Sequence, residues 1–413
     1  MCQRCIRGSV MSTFELEEIT DRAGTGAPNF THGFNINGSD SGLSGAIHTV
    51  GENEPSSPSN GDTWWDTAND VYKVYMDNEW KDWLGTTPPA YSGPAYMGTR
   101  GIIAGGYGPS SDGFSANDIQ YITIATPGNA TDFGDLSRKT SYTGTHSNGS
   151  RIVICGGRNA GNYTDAIDYV TAASPGNSSD FGDLTNDRML MGCGGDATRT
   201  VCGGGWGTPS GAPNNRTEQN IIDYITTGTT GNAIDFGDLS YYRDYISATS
   251  DATRTIFAGG QDYSSGSNAS VNIMEYVTTQ TTGNVTDFGD LLAANYVMNS
   301  GVIASATRGI FTGGLRLNPT VYEQTIQYVT IATTGNATDF GDTLQGLLGS
   351  ATCADGTTGI IAGGQKGGSG SQDDNTIQKI TIATTGNATD FGDLNPIGGQ
   401  DSYNKYASAA SGT

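Results

Sequence analysis

The sequence predicts an all-β protein: a six-bladed β-propeller preceded by a small N-terminal β meander on an extended arm. Three observations predict it. The phrase Asp-Phe-Gly-Asp occurs six times, starting at Asp132, Asp180, Asp235, Asp287, Asp339 and Asp390, so that successive copies are 48, 55, 52, 52 and 51 residues apart. A period near 50 residues is that of stacked supersecondary units. Within each period four short segments recur in a fixed order, and one of them alternates apolar and polar residues as a strand does. Gly supplies 62 of 413 residues and charged residues only 15%, against about 25% in an ordinary domain, which suits short strands and tight turns better than helices.

The first segment of each unit is a strand of small residues, as in Tyr245-Ile-Ser-Ala-Thr-Ser250. The second begins with Arg and ends in Gly-Gly, as in Arg100-Gly-Ile-Ile-Ala-Gly-Gly106 and Arg254-Thr-Ile-Phe-Ala-Gly-Gly260. The third alternates, as in Ile119-Gln-Tyr-Ile-Thr-Ile124 and Ile326-Gln-Tyr-Val-Thr-Ile331. The fourth carries Asp-Phe-Gly-Asp. A Gly-Asn pair precedes every fourth segment, from Gly128-Asn129 to Gly386-Asn387, and both residue types tolerate the positive φ of a tight hairpin. Each unit is thus a four-stranded antiparallel meander, and packing such sheets around an axis buries both faces of each. Second, third and fourth segments occur six times. First segments occur seven times if both Pro94-Ala-Tyr-Met-Gly-Thr99 and Tyr406-Ala-Ser-Ala-Ala-Ser411 count. The surplus implies a ring closed by overlap, one terminal strand completing the blade begun at the other end.

The Gly-Gly-ended second strand, the third-strand aromatic and the fourth-strand Phe resemble a kelch repeat over residues 91–413. The resemblance implies the propeller architecture, not a task. Phe stands where the kelch repeat has Trp, and in the sixth unit Lys379 and Thr358 replace the usual Tyr and Arg. The repeated residues read as structural. Phe is expected to wedge between blades, the Asp side chains to bond turn amides, and Arg100, Arg151, Arg199, Arg254 and Arg308 to hold blade junctions. Cys155 and Cys202 read as equivalent small core residues ahead of Gly-Gly, with reduced thiols. Cys2-x-x-Cys5 lacks the further ligands a zinc site needs, so no metal and no cofactor are expected.

Connections on one propeller face are short and repetitive, whereas those on the other vary, and variable loops on a rigid scaffold are where binding sits. That face is expected to hold Arg138, Lys139, Trp206, Tyr241, Tyr242, Arg243, Tyr263 and Arg316, aromatic and basic groups suited to a glycan or protein surface. The net charge of −22 argues against nucleic acid, whose phosphates call for clustered Lys and Arg. No apolar run approaches the ~20 residues of a membrane span.

Residues 1–90 are not repetitive. Residues 1–53 read as an extended arm, with Met11 an alternative start. Residues 54–90 read as a Trp-rich three-stranded mini-domain holding Trp64, Trp65, Trp80 and Trp83. So small a sheet needs a neighbour to be stable. The stretch Gly24-Thr-Gly-Ala-Pro-Asn-Phe30 to Gly33-Phe-Asn-Ile-Asn-Gly38 resembles N-terminal segments of tailed-bacteriophage fibre and appendage proteins. The run Asn60-Gly-Asp-Thr-Trp-Trp-Asp66 to Val71-Tyr-Lys-Val-Tyr75 likewise resembles a meander of phage virion proteins. The resemblance implies a virion structural protein made in the host cytoplasm. Its N-terminal region and the four tryptophans would dock on other virion proteins, its propeller would serve host attachment or particle decoration, and it would be free to form a homo-oligomer. No convergent catalytic constellation is present, so an enzyme is not expected. The alternatives are a propeller hydrolase of host surface polysaccharide and a purely structural spacer.

Overall fold

The computed structural model describes residues 97–413, apart from 108–114, 160, 209–216, 263–268, 295–298, 318, 368–371 and 397–404, together with Pro55 and short strands between residues 29 and 82. Packing divides the chain into Met1–Tyr91 and Ser92–Thr413. The first unit contains a four-stranded sheet. Its strands Thr63–Asp66, Val71–Met76 and Glu79–Asp82 form the expected meander. A fourth strand, His48–Gly51, adds in parallel to Thr63–Asp66, so the meander does not stand alone as three strands. Cys2 and Cys5 lie outside the described residues.

The second unit is a six-bladed β-propeller. Blade II shows the unit clearly: Gly144–Ser147, Arg151–Cys155, Ala166–Thr171 and Ser179–Asp183, hydrogen-bonded in that order. The same order recurs in blades III to VI, whose first strands begin at Gly192, Ser247, Ile303 and Ser350. Blade I is completed from the far end of the chain. Ser408–Gly412 pairs antiparallel with Arg100–Ala104, Ser408 opposite Ala104 and Gly412 opposite Arg100. Of the two candidate first strands the C-terminal one therefore fills the place. Gly98 instead lies against the Gly412 backbone and donates its N–H to Ser411 Oγ at 3.2 Å.

The second strands of blades II to VI each start at a turn whose leading side chain caps it, from Asn148 and Asp196 to Ser305 and Asp355. Asp196 accepts from the N–H groups of Thr198 and Arg199, and Asp251 and Asp355 act alike. The Arg that follows lies over the third-strand Tyr of its own blade, at 4.3–4.8 Å, in blades I to V. It also donates to a carbonyl of the next blade: Arg100 to Ala172, Arg151 to Thr227, Arg199 to Thr279, Arg254 to Ile331 and Arg308 to Ile382. These five Arg residues hold blade junctions, as expected.

The Asp-Phe-Gly-Asp box is a second junction. Phe133 packs with Ile102 of its own blade and with Ile152, Ile154 and Val170 of the next, and burying each such ring contributes roughly 1.5–3 kcal/mol. The hydrogen bonding differs from the expectation. Among the described residues, no Asp side chain of the box caps a turn amide. Instead the Asn of the next blade's Gly-Asn pair accepts from the N–H of the box's second Asp at 3.0–3.1 Å, from Asp135 to Asn177 around the ring to Asp393 and Asn129. The Asn is thus a side-chain acceptor and not a left-handed turn residue. The Gly of the box is required by close approach: a Cβ on Gly134 would sit 2.5 Å from the Gly176 backbone, and one on Gly392 would sit 2.3 Å from Gly128. The closing junction from blade VI to blade I therefore has the same geometry as the other five.

The cysteines depart from the expected pattern. Gly204 and Gly205 take the φ values of Gly156 and Gly157, so Cys202 matches Ile154, one place earlier than Cys155. The two cysteines consequently project from opposite faces of neighbouring blades and meet in the gap between them. Cys193 stands opposite Cys202 on the adjacent strand, with Cα atoms 4.2 Å apart, and is joined to it by a disulfide. The expectation of reduced thiols gives way at that pair. Burial pushes the remaining Cys155 thiol up to about 12.

Candidate functional site

The varied loops join fourth strands to first strands and second strands to third strands, all on one face of the ring. Residues 97–99 and Thr413 lie at the opposite face, where Thr413 donates its N–H to the Gly149 carbonyl and Ile124 to that of Thr99.

On the loop face, the residue leading into the innermost strand adopts a left-handed backbone in blades I, II, III, IV and VI. Tyr142 (φ 60°), Leu190 (φ 63°), Tyr245 (φ 53°) and Tyr406 (φ 57°) occupy equivalent places in blades II, III, IV and I, and Gly349 (φ 71°) holds that place in blade VI. For a side chain other than Gly this conformation costs about 1–2 kcal/mol. The cost falls on four separate residues, and each turns its side chain toward one cluster around the axis. Leu190, Leu348 and Tyr406 form its buried base; Tyr107, Tyr142, Met189, Trp206, Tyr245 and Tyr322 pack on it and stay partly open to solvent. Tyr142 and Tyr406 stack at 4.4 Å, and Tyr107 meets both edge-on. Gly349 is small for a reason: a Cβ there would lie 2.3 Å from the Tyr406 ring.

Polar groups are set into this aromatic floor. Tyr406 donates its hydroxyl to Gln365 Oε1 at 2.8 Å, and Gln365 Nε2 donates to the Tyr322 hydroxyl at 3.1 Å. Lys405 Nζ lies 4.9 Å from the Tyr107 ring centre and 2.9 Å from Asp373. Burial, followed by the neighbouring phenols, pushes the Tyr406 hydroxyl far above its ordinary range, and burial and Tyr107 do the same to Tyr142. The phenols therefore remain neutral hydrogen-bond donors. An aromatic platform edged with neutral donors and one ammonium group can stack on the apolar face of a ring and bond its hydroxyls.

No protein-family model matches the chain, and no curated protein matches it significantly.

The propeller separates the residues singled out from sequence. Trp206 belongs to the floor. Tyr241 and Tyr242 are exposed, at 48% and 54%, but they stand on the outermost strand of blade III, at the rim. Lys139 is on the outermost strand of blade I, also at the rim. Arg316 is 41% exposed and paired with Glu323 at 2.9 Å. Tyr263 lies outside the described residues.

Two expected contact residues are corrected. Arg243 is fully buried, donating to the carbonyls of Gly259 and Ile273 and to Glu275. Arg138 reaches Asp168 at 2.9 Å and the Ala166 carbonyl at 2.6 Å. With Arg188, which bonds Asp223 and the carbonyls of Gly204 and Ile221, they brace three successive blade junctions. A guanidinium turned into a blade junction and spent on a carboxylate and one or more carbonyls is not presented to a ligand.

In the N-terminal unit Trp64 is buried, edge-on to Trp80 at 5.7 Å and under Lys73, which makes it a core residue of its own small sheet. Nothing is described of the Trp65 side chain, and Trp83 lies outside the described residues.

Sequence reasoning misses Tyr142, Leu190, Tyr245 and Tyr406 as site residues. The signal for the tyrosines is a Tyr placed two residues before a small first-strand residue, in Tyr142-Thr-Gly144, Tyr245-Ile-Ser247 and Tyr406-Ala-Ser408.

Proposed function

We propose that this chain is a virion structural protein of a tailed bacteriophage, carrying a propeller that attaches to a host-surface glycan through the aromatic floor. The observation that carries the glycan reading is the convergence of four left-handed non-Gly residues on one axial cluster, on the face opposite residues 97–99. Backbone strain kept at equivalent places in several blades is retained where a surface has work to do. The motifs of the first 90 residues support the virion assignment and the docking of that region on other particle proteins. The kelch-like Gly-Gly strands support the choice of scaffold.

The test has two parts. Mass spectrometry of purified particles should find the protein as a stoichiometric component; its absence would end the virion reading. A glycan array probed with the protein should show a bound glycan lost in Tyr142→Ala with Tyr107→Ala, while Tyr241→Ala with Tyr242→Ala at the rim retains it. Retention by the first pair, or loss through the second alone, would move the site away from the floor.

A further inference from the structure

A row of oxygen-bearing side chains crosses the junction of blades III and IV. The ladders set Trp206 opposite Glu218, Asp244 opposite Gln261, and Gln261 opposite Ser270. The register that pairs Gln219 with Arg243 carries Glu218 to the place opposite Asp244. Residues directly opposed across a ladder project from the same face, with Cβ atoms about 4.5–5.5 Å apart. Glu218, Asp244, Gln261 and Ser270 thus form one line, beginning beside Trp206.

The line is withdrawn from water: Glu218 is 7% exposed, Asp244 2% and Gln261 4%. Two of its oxygens, Asp244 Oδ1 and Ser270 Oγ, are buried without a hydrogen-bond partner. Like charges directly opposed in a sheet repel, and a buried charge is retained when paired or when it coordinates a metal. Neighbouring Arg243 does not supply the pairing, because it turns to the other face and is held by Glu275. Burial and then the Glu218 carboxylate push the Asp244 carboxyl well above its ordinary range.

We propose that this row is a calcium-binding site, with the Glu218 and Asp244 carboxylates as charged ligands and Gln261 Oε1 as a neutral one. Two carboxylates balance the divalent charge. Calcium accepts 6–8 oxygens in flexible geometry at about 2.3–2.6 Å, whereas magnesium demands a near-ideal octahedron; oxygens carried on separate strands suit the former. Ser270 Oγ lies further along the row and is available to an outer water. The site would bind the floor to the junction beneath it, since Glu218 faces Trp206 and Asp244 immediately precedes left-handed Tyr245. It does not depend on the glycan reading.

The test uses the full chain stripped with EDTA. Calorimetry with CaCl2 should show saturable uptake of one ion per chain, and calcium should raise the melting temperature. Terbium should luminesce by transfer from Trp206 and be displaced by calcium. Glu218→Gln with Asp244→Asn should abolish uptake, while Trp206→Phe should keep the calcium heat and lose most of the terbium signal. Identical melting in EDTA and CaCl2, with no heat of binding, would overturn the proposal and leave a carboxyl pair that shares a proton. Uptake unchanged in the double variant would overturn it as well.

Discussion

His146 is a residue that the repeat alone would not single out. It sits on the innermost strand of blade II, fully buried, with Nε2 3.2 Å from the Asp196 carbonyl. Burial lowers it from 6.5 to about 4. The unfolded chain therefore takes up this proton first as the pH falls, so the folded state loses stability between about pH 6.5 and pH 4. The loss is on the order of 3 kcal/mol, because each tenfold difference in proton affinity between the two states is worth about 1.4 kcal/mol. Chemical denaturation at pH 7 and pH 4.5 should show it, and His146→Gln should flatten that part of the profile. An unchanged profile would mean that His146 is not neutral in the fold. At this scale the sequence is least transparent. Tyr245 and Tyr406 look like strand-start residues until their positive φ is known, and Arg243 looks like a loop cation until its burial is seen.

At the scale of the element, six junctions divide into two kinds. The residue between Ile or Met and Tyr in the third strand is Asp168, Asp223 or Glu275 in blades II, III and IV, and each meets an Arg from the preceding blade. In blades V, VI and I the same place holds Gln327, Gln378 and Gln120, which accept the backbone N–H of Leu292, Leu344 and Asn395. Half the ring is therefore joined by buried ion pairs and half by neutral amides. Asp223→Ala should cost about 3–5 kcal/mol, because it strands a buried guanidinium. Arg188→Leu with Asp223→Gln, which imitates the neutral junctions, should cost clearly less; urea melts of the two variants make the comparison, and equal losses would refute it. The sixth blade makes a related point. Thr358 and Lys379 replace Arg and Tyr together, as they should if the Arg is kept for its contact with the Tyr ring. Thr358→Arg alone should not stabilise the fold, whereas Thr358→Arg with Lys379→Tyr should add about 0.5–1 kcal/mol, readable as a displaced urea midpoint. The strands of this ring are legible from period and alternation. The pairing of Asp or Glu with Arg is not, because the partners lie about 30 residues apart in different repeats and only the fold shows that they meet.

For the whole molecule, the period near 50 residues announces the propeller, and the extra small-residue strand announces overlap. Composition does not say which terminal strand does the overlapping, because Pro94–Thr99 and Tyr406–Ser411 are alike. Backbone pairing decides for Ser408–Gly412. Deleting residues 406–413 should leave Arg100–Ala104 without its inner neighbour and remove Tyr406 from the floor. The deleted chain should lose its cooperative thermal transition and elute as larger species in size exclusion. A sharp transition near the parent temperature would show that blade I holds without closure. The small N-terminal sheet is less legible, since His48–Gly51 joins it in parallel from across an intervening segment and alternation within the meander carries no trace of that partner.

The closing strand also sets how the ring would bear a load. The chain enters the propeller at Arg100 and runs from the turn face toward the loop face, along a strand flanked on one side by Ser408–Gly412 and on the other by Ala116–Thr123. Tension between a tethered N-terminal segment and something gripped at the loops would pull along that strand. Its backbone pairs on both sides would then be sheared together and not peeled one at a time. Covered on both flanks by its own chain, the strand by which the chain enters the ring is arranged as a lap joint.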